Sequence, residues 1–170
     1  MRLFIGIDLP VEIKNHIELS VYPLQVTTKG WEHPHDYHLT LLFIGETPPI
    51  EIPFIVHQLN EITFTPFSLT LKTIEFFNRR VLYLSCEDSL ELLNLRKDIT
   101  FHFSKYKKPE TKKFIPHITL KRWQRYEFDE LKKRIEENPF VEKSIRVDHL
   151  ALFKSEKDAD NRKYHVLKRT

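Results

Sequence analysis

The chain writes the tetrapeptide His-x-Thr-Leu twice, in HLTLLFIGE from His38 and in HITLKRW from His117. With this composition one copy is expected on the order of 0.1 times by chance, so any fold has to accommodate the pair. Both stretches are rich in β-branched and aliphatic residues and read as strands. On a strand, residues i and i+2 face the same side. His38 and Thr40 then point one way and Leu39 and Leu41 the other, and His117 and Thr119 oppose Ile118 and Leu120 in the same manner. The apolar pairs can enter a core. The His and Thr of each strand, roughly 6.6 Å apart, are left facing a groove. Two such strands side by side would line one cleft with two imidazoles and two hydroxyls.

The remaining segments supply a frame for that pairing. MRLFIGID reads as a strand, and Pro10 opens a helix with Ile13, Ile17 and Val21 on one face. TTKGWEHPHDY is loop, and EIPFIVHQLNEI is a second helix. FSLTLKTIEFF and RVLYLSCE form a hairpin across NRR. DSLELLNLRKDITFHFSKY reads as a helix with Asp88 as N-cap and Leu90, Leu93 and Ile99 at helical spacing. After the loop KKPETKK comes the second motif strand, then the helix FDELKKRIEENP, closed by Pro139. SIRVDHLALFKS and KYHVLKR read as the last two strands, with the turn EKDADN between them. The order β-α-β-α-β-β-α-β-α-β-β predicts an α+β fold. It is a two-lobed, pseudo-symmetric domain of mostly antiparallel sheets with outer helices and a central cleft carrying the two H-x-T-L strands. No linker divides the chain, so residues 1–170 form a single domain of two lobes.

Composition removes several alternatives. Three glycines cannot build a Gly-rich phosphate loop. The formal net charge of +3 permits a polyanionic ligand without demanding one. The basic stretches SKYKKPETKK and NRKYHVLKRT read as solvated faces. Cys86 is the only cysteine, which excludes an intramolecular disulfide and fits a reducing compartment. It reads as a half-buried strand residue. The apolar run of the amino terminus, stopped by Asp8 and Pro10, is too short for a signal or membrane segment. A cytoplasmic protein is expected, and a monomer, since both motifs lie in one chain.

Two imidazoles and two hydroxyls in one cleft suit phosphodiester hydrolysis. One His can be neutral and act as base while the other is charged and acts as acid. Thr hydroxyls can donate to non-bridging oxygens. No cofactor is required. His33, His35 and Asp36 in HPHDYH, with His38, are a competing metal set, although Pro34 and the loop position count against common ligation. Trp31 and Phe43, beside the first motif, are candidates for base stacking. His149 lacks a Thr partner and reads as structural.

The ordered set MRLFIGIDLP, HLTLLFIGE, RRVLYLS, FIPHITLKR, LALFKSE and KYHVLKR runs along nearly the whole chain. It resembles the 2H phosphoesterase superfamily, and within it the RNA 2',3'-cyclic phosphodiesterases also described as 2'-5' RNA ligases. The resemblance implies opening of RNA 2',3'-cyclic phosphate ends to 2'-phosphomonoesters, with ligation as the reverse of a similar end chemistry. It implies His38 as proton donor, His117 as proton acceptor, and Thr40 and Thr119 as holders of the phosphate oxygens. Arg122 corresponds to an Arg that often follows the second motif. Strict alternation puts Arg122 opposite His117, so a strand end or bulge must redirect it, and Lys121 is its rival. The alternative on the same scaffold is a catalytically idle module binding RNA ends or nucleotides.

Overall fold

The computed structural model describes residues 1–25, 29–106, 113–122, 128–158 and 161–170. Among the described residues twelve main elements follow one another. They are β1 (Arg2–Asp8), α1 (Val11–Val21), β2 (His38–Glu46), α2 (Ile52–Asn60), β3 (Phe67–Phe77) and β4 (Val81–Cys86), then α3 (Leu90–His102), β5 (His117–Arg122), α4 (Phe128–Glu137), β6 (Lys143–Val147), β7 (Ala151–Asp158) and β8 (Asn161–Arg169). The eight strands make one sheet in the order β6-β3-β4-β5-β2-β1-β7-β8, and every pairing is antiparallel. The two lobes are the two halves of that sheet, with the motif strands β2 and β5 side by side at its centre. Among the described residues no helix is long and apolar enough to cross a membrane.

The helices bury their apolar stripes against one face of the sheet. Ile13, Ile17 and Val21 of α1, Ile55 and Leu59 of α2, Leu92, Leu95 and Ile99 of α3, and Leu131 of α4 share one core with Leu39, Leu41, Ile118 and Leu120. The residues after each motif His are thus the anchors of the core. Truncating Leu39 or Ile118, both wholly buried, would cost about 2–5 kcal/mol. The polar members of each motif face the other side.

The sheet is curled. Three residues, 148–150, join β6 at one edge to β7, six places along the strand order. In a flat sheet that separation is roughly 29 Å, whereas the connection can span about 14 Å at most. The single strand expected over SIRVDHLALFKS is therefore two strands in different lobes. No Gly or Pro marks the break, because the crossing between lobes makes it and not a local turn.

Two local expectations also change. The N-cap of α3 is Ser89, whose hydroxyl accepts from the Leu92 N–H at 3.1 Å, and not Asp88. The buried face of α3 is Leu92, Leu95 and Ile99, while Leu90 and Leu93 are exposed. The run LELLNL offers two apolar faces, and packing against the sheet selects one. The hairpin between β3 and β4 holds as expected. Asn78 and Arg79 both adopt positive φ, 48° and 55°, and the Arg80 N–H donates to the Phe77 carbonyl at 2.9 Å, closing a tight turn whose twist suits the strands. Residues 107–112 of the KKPETKK loop and 159–160 of the turn between β7 and β8 lie outside the described residues.

Candidate active site

β2 and β5 share one ladder pair, Leu39 with Ile118, and then diverge. These are the residues that follow the two motif histidines. Carried one step either way, the antiparallel register sets His38 across from Thr119 and Thr40 across from His117. The His–His diagonal of such a square is about 7–8 Å, which leaves room for one phosphate. His38, Thr40, His117 and Thr119 line a single cleft, together with Phe43 and Arg122.

Both motif strands carry the same irregularity. Across from β1, Ile5 pairs with Leu42 and Gly6 with Thr40, so Leu41 is an extra residue. Across from β4, Leu82 pairs with Lys121 and Tyr83 with Thr119, so Leu120 is extra. The bulge follows the Thr in each case, and each strand shows two consecutive buried residues there. A bulge shifts the alternation by one. It returns Phe43 and Arg122, at equivalent places in the two motifs, to the cleft face. Lys121 is turned away instead. It is wholly buried, its Nζ donates to the Lys29 carbonyl at 2.5 Å, and it lies 5.0 Å from the Trp31 ring centroid.

Where β2 leaves β5, the segment 30–32 takes its place. The Arg122 N–H donates to the Gly30 carbonyl and the Glu32 N–H to the Leu120 carbonyl, each at 2.8 Å. Gly30 is required, since its φ is +79° and a Cβ would fall 2.1 Å from the Arg122 carbonyl oxygen. This places the Glu32 carboxylate on the Arg122 guanidinium, which also reaches the Thr119 hydroxyl at 3.3 Å. Trp31 lines an adjoining cavity and not the cleft.

The imidazoles are oriented alike. His38 Nδ1 donates to the Asp36 carbonyl at 2.5 Å, and His117 Nδ1 to the Ile115 carbonyl at 2.8 Å. A carbonyl only accepts, so each ring carries its proton on Nδ1 and has Nε2 free for chemistry. Each ring rests on aromatic neighbours. His38 lies 4.8 Å from Phe4, 5.2 Å from Phe153 and 4.6 Å from Tyr164, and His117 lies 5.1 Å from Phe77 and 5.6 Å from Tyr83.

Burial pushes the His38 imidazole down to about 4, against the pull of the Asp36 carbonyl. The Lys14 charge and His117 lower it further and Asp8 raises it. Burial also lowers His117, against the pull of the Ile115 carbonyl. Both rings are therefore neutral near pH 7. An anion between them would favour protonation of either one.

The turn that holds His38 is itself clamped. Lys14 Nζ donates to the His35 carbonyl and to Asp8 Oδ1, each at 2.8 Å, and buried Asp8 also binds Arg169. The Asp36 side chain accepts from the Tyr164 N–H at 3.1 Å. The HPHDYH residues are thus dispersed. The His33 and His35 rings stack on each other at 5.0 Å, Asp36 is engaged by β8, and His38 belongs to the cleft. Among the described residues no three His, Cys, Asp or Glu side chains converge as a metal set. His149 binds Asp148 at 2.8 Å in the connection between β6 and β7, outside the cleft. Cys86 is half-buried, and burial pushes its thiol up to about 12, with the Glu87 charge adding to this.

Four cleft residues escape a reading of the sequence alone: Arg2, Ser155, Arg162 and Tyr164. Arg2 pairs with Ser155 and Ser155 with Tyr164, forming one row across β1, β7 and β8. Arg162 follows on the same face. The stretch NRKYHVLKRT is accordingly more than a solvated face. Arg2, Arg122 and Arg162 give the cleft three guanidiniums, and no carboxylate is among the described residues that line it. Burial lowers the Arg122 pKa from its ordinary value and the nearby Arg162 charge adds to this, while Tyr164 raises it. Arg122 is paired with Glu32, and Arg2 and Arg162 add two further guanidiniums to the cleft wall.

The family model described as the 2'-5' RNA ligase superfamily matches residues 20–159. The chain belongs to this superfamily. An RNA 2',3'-cyclic phosphodiesterase from Thermotoga maritima is 31% identical, with 91% of this chain and 87% of that protein covered. One of the same name from Bacillus subtilis is 32% identical, with 70% and 69% covered. Among solved structures, E. coli LigT complexed with 3'-AMP superposes with a TM-score of 0.81 at 25% identity, covering 99% of this chain and 96% of that one. The two-lobed α+β architecture of this superfamily member is that of LigT.

Proposed function

We propose that this superfamily member opens RNA 2',3'-cyclic phosphate ends to 2'-phosphomonoesters by two-histidine acid–base catalysis. The observation that carries the reading is the matched pair of imidazoles. Each is held by a carbonyl at Nδ1, each has Nε2 free, and both line one cleft with two Thr hydroxyls and three guanidiniums. Thr40, Thr119 and Arg122 hold the non-bridging oxygens, and Phe43, 56% exposed at the cleft, stacks on the terminal base.

In this mechanism the phosphate anion raises the proton affinity of His38, whose ring lies against three aromatic rings and near the Asp8 carboxylate. His117 Nε2 takes a proton from water as the water oxygen bonds to phosphorus. The bond from phosphorus to the 3' oxygen breaks, and His38 protonates that oxygen. The product is a 2'-phosphomonoester with a free 3' hydroxyl. Each histidine supplies ~10²–10⁴ in rate. An RNA 5' hydroxyl in place of water would give a 2'-5' phosphodiester by the same bond change, which accounts for ligation within the same scheme.

The test is incubation of the protein, in EDTA, with a short RNA ending in a 2',3'-cyclic phosphate, followed by phosphorus NMR beside His38→Ala and His117→Ala. The expected result is a 2'-phosphate from the wild type and intact substrate with both variants. Binding without turnover by the wild type would point instead to an idle RNA-end module. Activity that needs an added divalent metal would refute the two-histidine scheme.

A further inference from the structure

Next to the catalytic cleft lies a larger cavity of about 540 Å³, within the usual range for a small-molecule site. Arg162 and Tyr164 line both, so the two spaces share a wall. Trp31, Val21 and Pro34 supply apolar surface to the cavity, and Arg162 and Lys163 of β8 supply its basic side, with His165 beside them on Glu156 at 3.2 Å. Of the acidic groups there, Glu32 is paired with Arg122 and Asp36 accepts from the Tyr164 N–H, leaving Glu18 at the α1 end. Trp31 is braced from β5, through its bridge to Lys121 and the Lys121 ammonium at its ring.

We infer that this cavity is the subsite for the penultimate nucleotide of an RNA chain, with its base on Trp31 and the phosphate joining the last two nucleotides beside Arg162. The inference rests on the reading of the cleft as the site of the terminal cyclic phosphate. A chain leaving that site by its 5' oxygen presents a phosphodiester anion and then a second base. Arg162, shared by both spaces, faces the phosphodiester, and Trp31 offers its ring to the second base, with Lys163 on the same wall of the cavity. A free cyclic mononucleotide has neither group and would leave the cavity empty.

The test compares adenosine 2',3'-cyclic phosphate with the adenylyl dinucleotide bearing the same cyclic end, by kcat/KM. Stacking of one base on an aromatic side chain predicts a preference for the dinucleotide of about 10- to 100-fold. Trp31→Ala and Lys163→Gln should each reduce that preference while leaving the mononucleotide rate unchanged. Lys163 is an exposed strand residue, so its substitution does not threaten the fold if Trp31→Ala does. Equal kcat/KM for the two substrates in the wild type would overturn the subsite and leave the catalytic reading standing. So would a preference that survives Lys163→Gln while Trp31→Ala lowers both substrates alike. If neither substrate is opened, the cyclic phosphodiesterase reading fails, and the subsite with it.

Discussion

His38 makes the protein acid-labile, and the size of the effect follows from its burial. An unfolded chain binds a proton at His38 with the ordinary pKa of 6.5, whereas the folded site holds it to about 4. Between those values the unfolded state binds more protons, so stability falls as pH falls through the window from 6.5 to 4. The loss is about 2 kcal/mol between pH 7 and pH 5, and about 3 kcal/mol once both states are protonated. His38→Asn removes this titration, and its amide can still donate to the Asp36 carbonyl. His117 and the carboxylates titrate in both proteins and cancel in the comparison. The assay is urea unfolding of wild type and variant at pH 7 and at pH 5. With an m-value of ~1–3 kcal/mol/M, the acid shift of the wild-type midpoint should exceed that of the variant by about 1 M. Equal acid shifts in the two proteins would show that the His38 imidazole is not held neutral by burial, and the account of the site's electrostatics would fall.

Three further outcomes follow from the same geometry. The kcat/KM for a cyclic phosphate end should be bell-shaped, with its maximum below pH 6.5, because both imidazoles are lowered from that value; a pH–rate profile that rises steadily from pH 5 to pH 9 would contradict paired histidines. Lys14→Met removes a cation that lowers His38, so the acidic limb of that profile should move to higher pH; an unmoved limb would mean that Lys14 does not act on His38. Gly6→Ala would set a Cβ 2.4 Å from the Leu39 carbonyl oxygen, forcing β1 away from the motif strand, with an expected cost of about 1–3 kcal/mol in thermal or urea unfolding and a parallel loss of activity.

Local features are legible in the order of residues alone. Period-two alternation separates His38 and Thr40 from Leu39 and Leu41, and His117 and Thr119 from Ile118 and Leu120. Helical spacing marks the α1 face of Ile13, Ile17 and Val21, and the hairpin at Asn78 and Arg79 is legible in its strand–turn–strand pattern. Those patterns depend only on neighbours in the chain. Tertiary structure decided whatever depends on hydrogen bonding between distant strands. The extra residues Leu41 and Leu120 are defined only against β1 and β4, and they bring Phe43 and Arg122 to the cleft and turn Lys121 away. The break between β6 and β7, the buried face of α3, and the row of Arg2, Ser155 and Tyr164 have the same origin. The low proton affinity of His38 is likewise a property of what surrounds the ring. A residue's type sets the chemistry it can perform, but its facing, burial and electrostatic neighbours exist only once the lobes have closed around one cleft.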